Sequence, residues 1–165
     1  MYEGLDTTAD YVQAFSNHQF YFNYAALARD GVRAEEIERV AGEAALTVPG
    51  MARYLTRTQL AAGAVQPDDA LARRVLHGFN QKRSGDVVVI QEAYKYISSS
   101  TGGATHGSPY AYDTHVPLVI MGGGLKAGRY LNPSTPADIA PTLARILNVE
   151  PPSNATGRVL LEAFR

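Results

Sequence analysis

The feature that most constrains this chain is an alternation. Runs rich in β-branched and aromatic residues take turns with apolar stripes at helical spacing, and that order points to an α/β fold. Phe20, Tyr21, Phe22 and Tyr24 form the first such run, which predicts a strand near 19–24. Ile37, Val40, Ala41, Ala44 and Val48 then recur on one helical face. Glu35 and Glu36 fall in the first turn, where carboxylates suit the positive end of the helix, and Pro49–Gly50 ends it. Residues 51–57 read as a short strand. Pro67-Asp68-Asp69 opens a second helix, with Leu71, Ala72, Val75, Leu76 and Phe79 as its stripe. After a turn at 83–86, Val87–Ile90 is the clearest strand, with a continuation expected toward Ile97. The order β-α-β-α-β admits parallel or split βαβ pairing.

The second half reads differently. Residues 98–115 have the composition of a loop, and loops this long in compact domains are usually functional or disordered. A second buried strand is expected at Val116–Met121, closed by Gly122-Gly123-Gly124. The last helix is placed at Asp138–Leu147, with Asp138 as N-cap, Pro141 in the first turn, and Leu143, Ile146 and Leu147 facing inward. Val159–Leu161 reads as a short strand or turn. The fold class is therefore α/β, a mixed sheet with flanking helices. The expected division is an N-terminal extension at 1–18, a βαβαβ subdomain at 19–97, and a loop, strand and helix portion at 98–165.

Composition removes several functions. The 165 residues contain no cysteine, which excludes disulfides and any cysteine-built zinc site. Net charge is -1, from 15 basic and 16 acidic residues, so there is no field of one sign to hold a nucleic acid by its phosphates. The pairs Arg73–Arg74 and Lys82–Arg83 read as solvated faces. No apolar run approaches the ~18 residues of a membrane span. The opening MYEGLDTTAD has neither a basic start nor an apolar core, so no signal peptide is read in it.

Of four histidines, His18 and His77 read as structural or solvent-facing. His106 stands apart. It lies between Thr105 and Gly107 in a Gly/Ser/Thr-rich loop just after a buried strand, where small neighbours let backbone approach an ion or anion. Asp113 and His115 share that loop, as further ligands or as partners that hydrogen-bond the loop to itself. The triple glycine at 122–124 lacks phosphate-loop spacing and reads as a turn. Ser98–Ser100 lack a nucleophile elbow.

The stretch THGSPYAYDTHVPLVIMGGGLKAGRY, residues 105–130, resembles a signature of the alkaline phosphatase superfamily. Residues 137–152, ADIAPTLARILNVEPP, are similar to that family's closing helix, and GRVLLEAF at 157–164 to its end. YLTRTQL at 54–60 and KRSGDVVVI at 82–90 match the region before, so the resemblance spans roughly 20–165. It is closest to the phosphodiesterase and nucleotide-pyrophosphatase branch and its bacterial phosphatase relatives, so a phosphodiesterase, nucleotide-pyrophosphatase or alkaline phosphatase type is expected. The resemblance implies a C-terminal part of a zinc-dependent phosphohydrolase, whose intact site holds two zinc ions and a Thr or Ser nucleophile and acts on a phosphate ester. It implies that His106 is a zinc ligand, through the His-Gly match. The nucleophile and the Asp-His-Gly zinc motif are expected upstream in the parent, and nothing here matches them. A periplasmic or secreted location follows from the same resemblance.

Three readings stand together. The first is this enzyme part, inactive alone, whose partner is the upstream part of the parent and whose bared surfaces favour self-association. The second is a free-standing non-catalytic module of the same fold serving binding or assembly. The third is a self-contained hydrolase built on His106, Asp113 and His115.

Overall fold

The computed structural model describes residues 11–95 and 102–164. The chain divides into two compact units, Met1–Val116 and Pro117–Arg165.

The first unit is built on a four-stranded antiparallel sheet in the order β1-β2-β4-β3. Strand β1 (Val12–Ser16), before the first strand expected from sequence, forms a hairpin with β2 (Gln19–Phe22). Asn17 and His18 make its two-residue turn with φ of 49° and 59°, the doubly left-handed backbone that matches strand twist. Strand β4 (Val87–Gln91) lies between β2 and β3 (Met51–Thr56), antiparallel to both. Strands β2 and β3 therefore run parallel on either side of it, which is the split βαβ pairing that the helical connections allowed. Strand β4 stops at Gln91: residues 92–95 turn away instead of continuing it toward Ile97, and residues 96 and 97 lie outside the described residues.

Strand β4 reads as an unbroken β-branched run because both its faces are covered. Val87 and Val89 join Phe22, Leu27 and Ile37 in one core cluster. Ile90, with Val88 against it, joins Leu55, Leu60 and Ala72 in another. Each fully buried side chain of this size contributes about 1.5–3 kcal/mol.

Helices α1 (Tyr24–Asp30) and α2 (Ala34–Leu46) supply the first cluster. Sequence reading did not find α1, although its signals are present: the Asn23 side chain accepts the Ala26 N–H at 3.2 Å, and Gly31 ends the helix at φ 68°. Helix α2 buries Ile37, Glu38, Gly42 and Ala45. The expected stripe is thus turned by about one residue, leaving Ala44 and Val48 exposed. Helices α3 (Arg57–Ala61) and α4 (Ala70–Gly78) supply the second cluster. Helix α4 begins where the sequence placed it, with Asp69 capping the Ala72 N–H at 2.9 Å.

Two buried carboxylates tie these elements together. Asp86 accepts the Phe22 N–H at 2.7 Å and the Tyr24 hydroxyl at 2.5 Å, with Arg57 3.4 Å away. Glu38, only 2% exposed, accepts the Thr58 N–H at 3.2 Å.

The second unit departs further from expectation. Residues 116–121 form no strand, and Val119 and Met121 are 86% and 96% exposed. High β-propensity does not make a strand without a ladder partner, and among the described residues this run has none. A 3-10 turn at Pro136–Asp138 leads into a helix at Ile139–Leu147. Asp138 holds the N-cap position as expected, but its side chain makes no cap bond to that helix. It reaches back to accept the Thr135 N–H at 2.8 Å and also takes the Arg158 N–H at 2.8 Å. The buried face is Pro141, Thr142 and Ala144, while Leu143 and Leu147 are exposed. The reason is local: Thr142 Oγ1 accepts the Leu160 N–H at 3.1 Å, so the helix turns this face toward the returning chain. Val159–Leu161 is no strand, and a 3-10 turn follows at Leu161–Ala163.

Candidate functional site

The candidate site lies in the first unit, where the chain leaves β4 and later returns as the His106 loop. Glu92 to Lys95 make a turn closed by the Lys95 N–H on the Glu92 carbonyl at 3.2 Å. The returning segment ends in a one-turn helix, α5 (Ala111–Thr114), inside the region read from sequence as loop.

Four hydrogen bonds hold that segment. The Tyr110 hydroxyl donates to the Gln91 carbonyl at 2.7 Å, at the end of β4. The Tyr112 hydroxyl accepts the Tyr94 N–H at 3.0 Å. Arg74 on α4 donates to the Pro109 carbonyl at 2.8 Å. Asp113 accepts the Ser108 N–H at 2.8 Å, closing the loop on itself. Three tyrosine rings add packing: Tyr94 stacks on Tyr112 at 4.5 Å and 21°, and Tyr110 on Tyr112 at 5.6 Å and 11°. A glycine-rich loop is thereby fixed by side chains at its C-terminal end.

An open cavity of about 550 Å³ lies beside the loop, with His18, Arg74, Tyr94, His106, Tyr112 and Asp113 among its lining. His106 is exposed on this wall. The Asp113 carboxyl is held below the usual carboxylate range by hydrogen bonding from Ser108, with His106 contributing from nearby.

Sequence reasoning singled out His106, Asp113 and His115. The cavity brings together the first two, and His115 is not among its lining residues. The backbone N–H of His115 bonds the Ala111 carbonyl at 2.9 Å, ending α5. His77 is exposed in the last turn of α4. Two residues were missed. His18, read as structural, lines the cavity from the hairpin turn, and Arg74, read as a solvated face, holds the loop. A residue on β1–β2 and one on α4 meet the loop only through tertiary pairing, which no local pattern reveals.

The zinc expectation meets a ligand count. Even an open catalytic zinc site takes three protein ligands. Among the described residues no group of three or more His, Asp or Glu side chains converges, and the Asp113 carboxylate is already engaged by Ser108. The described residues do not by themselves fit a zinc ion, and the set His106, Asp113 and His115 does not assemble as one.

No family model matches the chain. It is 35% identical over 157 residues to a protein of Myroides odoratus named calcium-transporting ATPase, covering 94% of this chain and 28% of that one. It is 30% identical over 153 residues to the alkaline phosphatase PafA of Elizabethkingia meningoseptica, covering 93% of this chain and 28% of that one. The crystal structure of wild-type PafA superposes with a TM-score of 0.82 at 29% identity, over 94% of this chain and 30% of that chain. The chain thus spans 28% of the length of these curated relatives. Its mixed α/β fold, a central sheet with flanking helices, resembles the alkaline-phosphatase fold. The placement nearest the phosphodiesterase and nucleotide-pyrophosphatase branch is overturned, because PafA, which the chain resembles in both sequence and structure, is an alkaline phosphatase. The physical reason lies in the residues that carried it. Ser108, Tyr110 and Asp113 hold the shape of a loop, and that work does not distinguish a monoester from a diester.

Proposed function

We propose that this chain, whose fold resembles that of the alkaline phosphatases, forms one wall of a phosphomonoesterase site and contributes His106 to its zinc. One observation carries the reading. His106 stands exposed on the wall of an open cavity, on a loop pinned to β4 and α4, so its imidazole is available to an ion completed by ligands from elsewhere. The nucleophile and the other ligands belong, in this reading, to the remaining length of a longer protein. The bare run at 116–121 supports a partner surface of that kind. An exported setting belongs to the same reading and rests on resemblance. Because the described residues include no complete ligand set, no chemical step is assigned to this chain. Its own residues position the imidazole and shape the cavity.

The incomplete ligand set also suits a non-catalytic module, and one experiment separates the two. The matching segment of the Elizabethkingia phosphatase is replaced by this chain. Hydrolysis of a phosphate monoester and bound zinc are then measured, with and without His106→Ala. The catalytic reading expects an active, zinc-loaded graft. His106→Ala should lower activity by more than the roughly 10–100-fold that loss of an outer-shell partner costs. Full activity in the variant would refute the role of His106. A folded but inactive graft would favour the module.

A further inference from the structure

Tyr94 has a backbone that does not suit its side chain. It is the third residue of the Glu92–Lys95 turn, with φ of 64°. Glycine or asparagine is favoured at such a place, and a bulky residue there carries a steric cost. Burial does not offset that cost, because Tyr94 is 84% exposed. Its ring nonetheless has a defined setting, stacked on Tyr112 at 4.5 Å and 21°. Both rings line the cavity that His106 and Arg74 also line. A strained position occupied by an exposed aromatic ring is the pattern of a side chain kept for contact with something outside the chain. Tyr112 stacks on both Tyr94 and Tyr110, so Tyr94, at the end of the stack, is the ring with a face left for a further planar group.

We propose that Tyr94 and Tyr112 form a stacking platform for the planar leaving group of a phosphate monoester. The inference rests on the phosphomonoesterase reading above and names a substrate class for it: monoesters whose alcohol carries an aromatic ring. The cavity has the matching polarity. Tyr94 offers a π face, while Arg74 on the same lining offers a guanidinium to the phosphate.

Benzyl phosphate and cyclohexylmethyl phosphate test this, since they share a ring size and differ in flatness. In the first arm, each is titrated into the isolated chain and the tyrosine ring resonances are followed by NMR. Benzyl phosphate should move the Tyr94 and Tyr112 signals, and cyclohexylmethyl phosphate should not. Equal shifts, or none, overturn the platform. In the second arm, the graft described above hydrolyses both esters. Tyr94→Gly, which relieves the turn while removing the ring, should cut the preference for the benzyl ester by roughly three- to tenfold, the range expected of one aromatic pair. Tyr94→Phe should keep it. An unchanged ratio in Tyr94→Gly also overturns the platform. The two readings fail separately. Benzyl-selective shifts in the isolated chain with a graft indifferent to His106→Ala would sink the zinc role alone. A His106-dependent graft with no Tyr94 effect would sink the platform alone.

Discussion

Gly42 of α2 lies against the ring of Tyr54 on β3, with no room between them for a methyl group. The helix comes this close to the sheet because residue 42 has no side chain.

Gly42→Ala should therefore destabilise the chain. Alanine gains about 0.5–1 kcal/mol in a helix interior, but overpacking a close contact costs about 1–3 kcal/mol. We expect a net loss of about 1–2 kcal/mol by those two figures, read as a lowered urea midpoint with unchanged slope. The loss should shrink in a Tyr54→Leu background. A more stable Gly42→Ala would mean that α2 does not pack on β3 at this point.

Glu38 gives a pH signature. Burial holds its carboxyl above the ordinary value of 4.5, against the pull of hydrogen bonds from Thr58 and Thr56. The folded state then binds this proton more tightly than the unfolded state. The stability from that proton is complete below 4.5 and is lost as pH rises through the folded value. Glu38→Gln has no such loss, so its stability relative to wild type should improve from acid to neutral pH. Parallel stability profiles for the two proteins would show that burial is not the dominant influence on this carboxyl.

Tyr24 acts at the other end of the scale. Burial, followed by its hydrogen bond to Asp86, pushes its hydroxyl from 10.0 up to about 12. The protonated hydroxyl is favoured in the folded state, so its contribution is complete below 10 and lost as pH rises toward 12. Wild type should lose stability faster than Tyr24→Phe across that interval. At neutral pH, Asp86→Ala should cost about 1–3 kcal/mol, the range for leaving a buried donor, here the Phe22 N–H, without its partner. A loss under one kcal/mol in chemical denaturation would show that the Phe22 and Tyr24 bonds are replaced by water.

Alone, the chain should not hydrolyse phosphate esters in the presence of zinc. One exposed histidine beside an engaged carboxylate falls short of three ligands. Release of a chromogenic phenol should match buffer, and His106→Ala should change nothing. Turnover that disappears in the variant would revive the self-contained hydrolase.

Local pattern revealed what local physics decides. The β-branched run at 87–90 was legible because both its faces are apolar, and α4 because Asp69 caps a regular stripe. The true face of α2 was hidden, since it includes a buried glutamate and a glycine whose value lies in the Tyr54 contact. The run at 116–121 has strand chemistry, but pairing depends on what lies beside it rather than on its own residues. His106 was visible through its loop and its His-Gly pair. His18 and Arg74 were not, because the sheet and α4 bring them to the cavity from far along the chain.

The order β1-β2-β4-β3 has a consequence for biosynthesis. The inner position between β2 and β3 is filled by β4, the last of the four described strands to be made. On a ribosome adding about 5–20 residues per second, the hairpin, the first two helices and β3 all emerge before the strand that joins β2 to β3. For several seconds the nascent chain holds two strand edges with nothing between them. Folding of this unit should therefore begin only once residue 91 has cleared the exit tunnel. A stalled chain ending before Val87 should be open to protease, and one extended well beyond Gln91 should resist it.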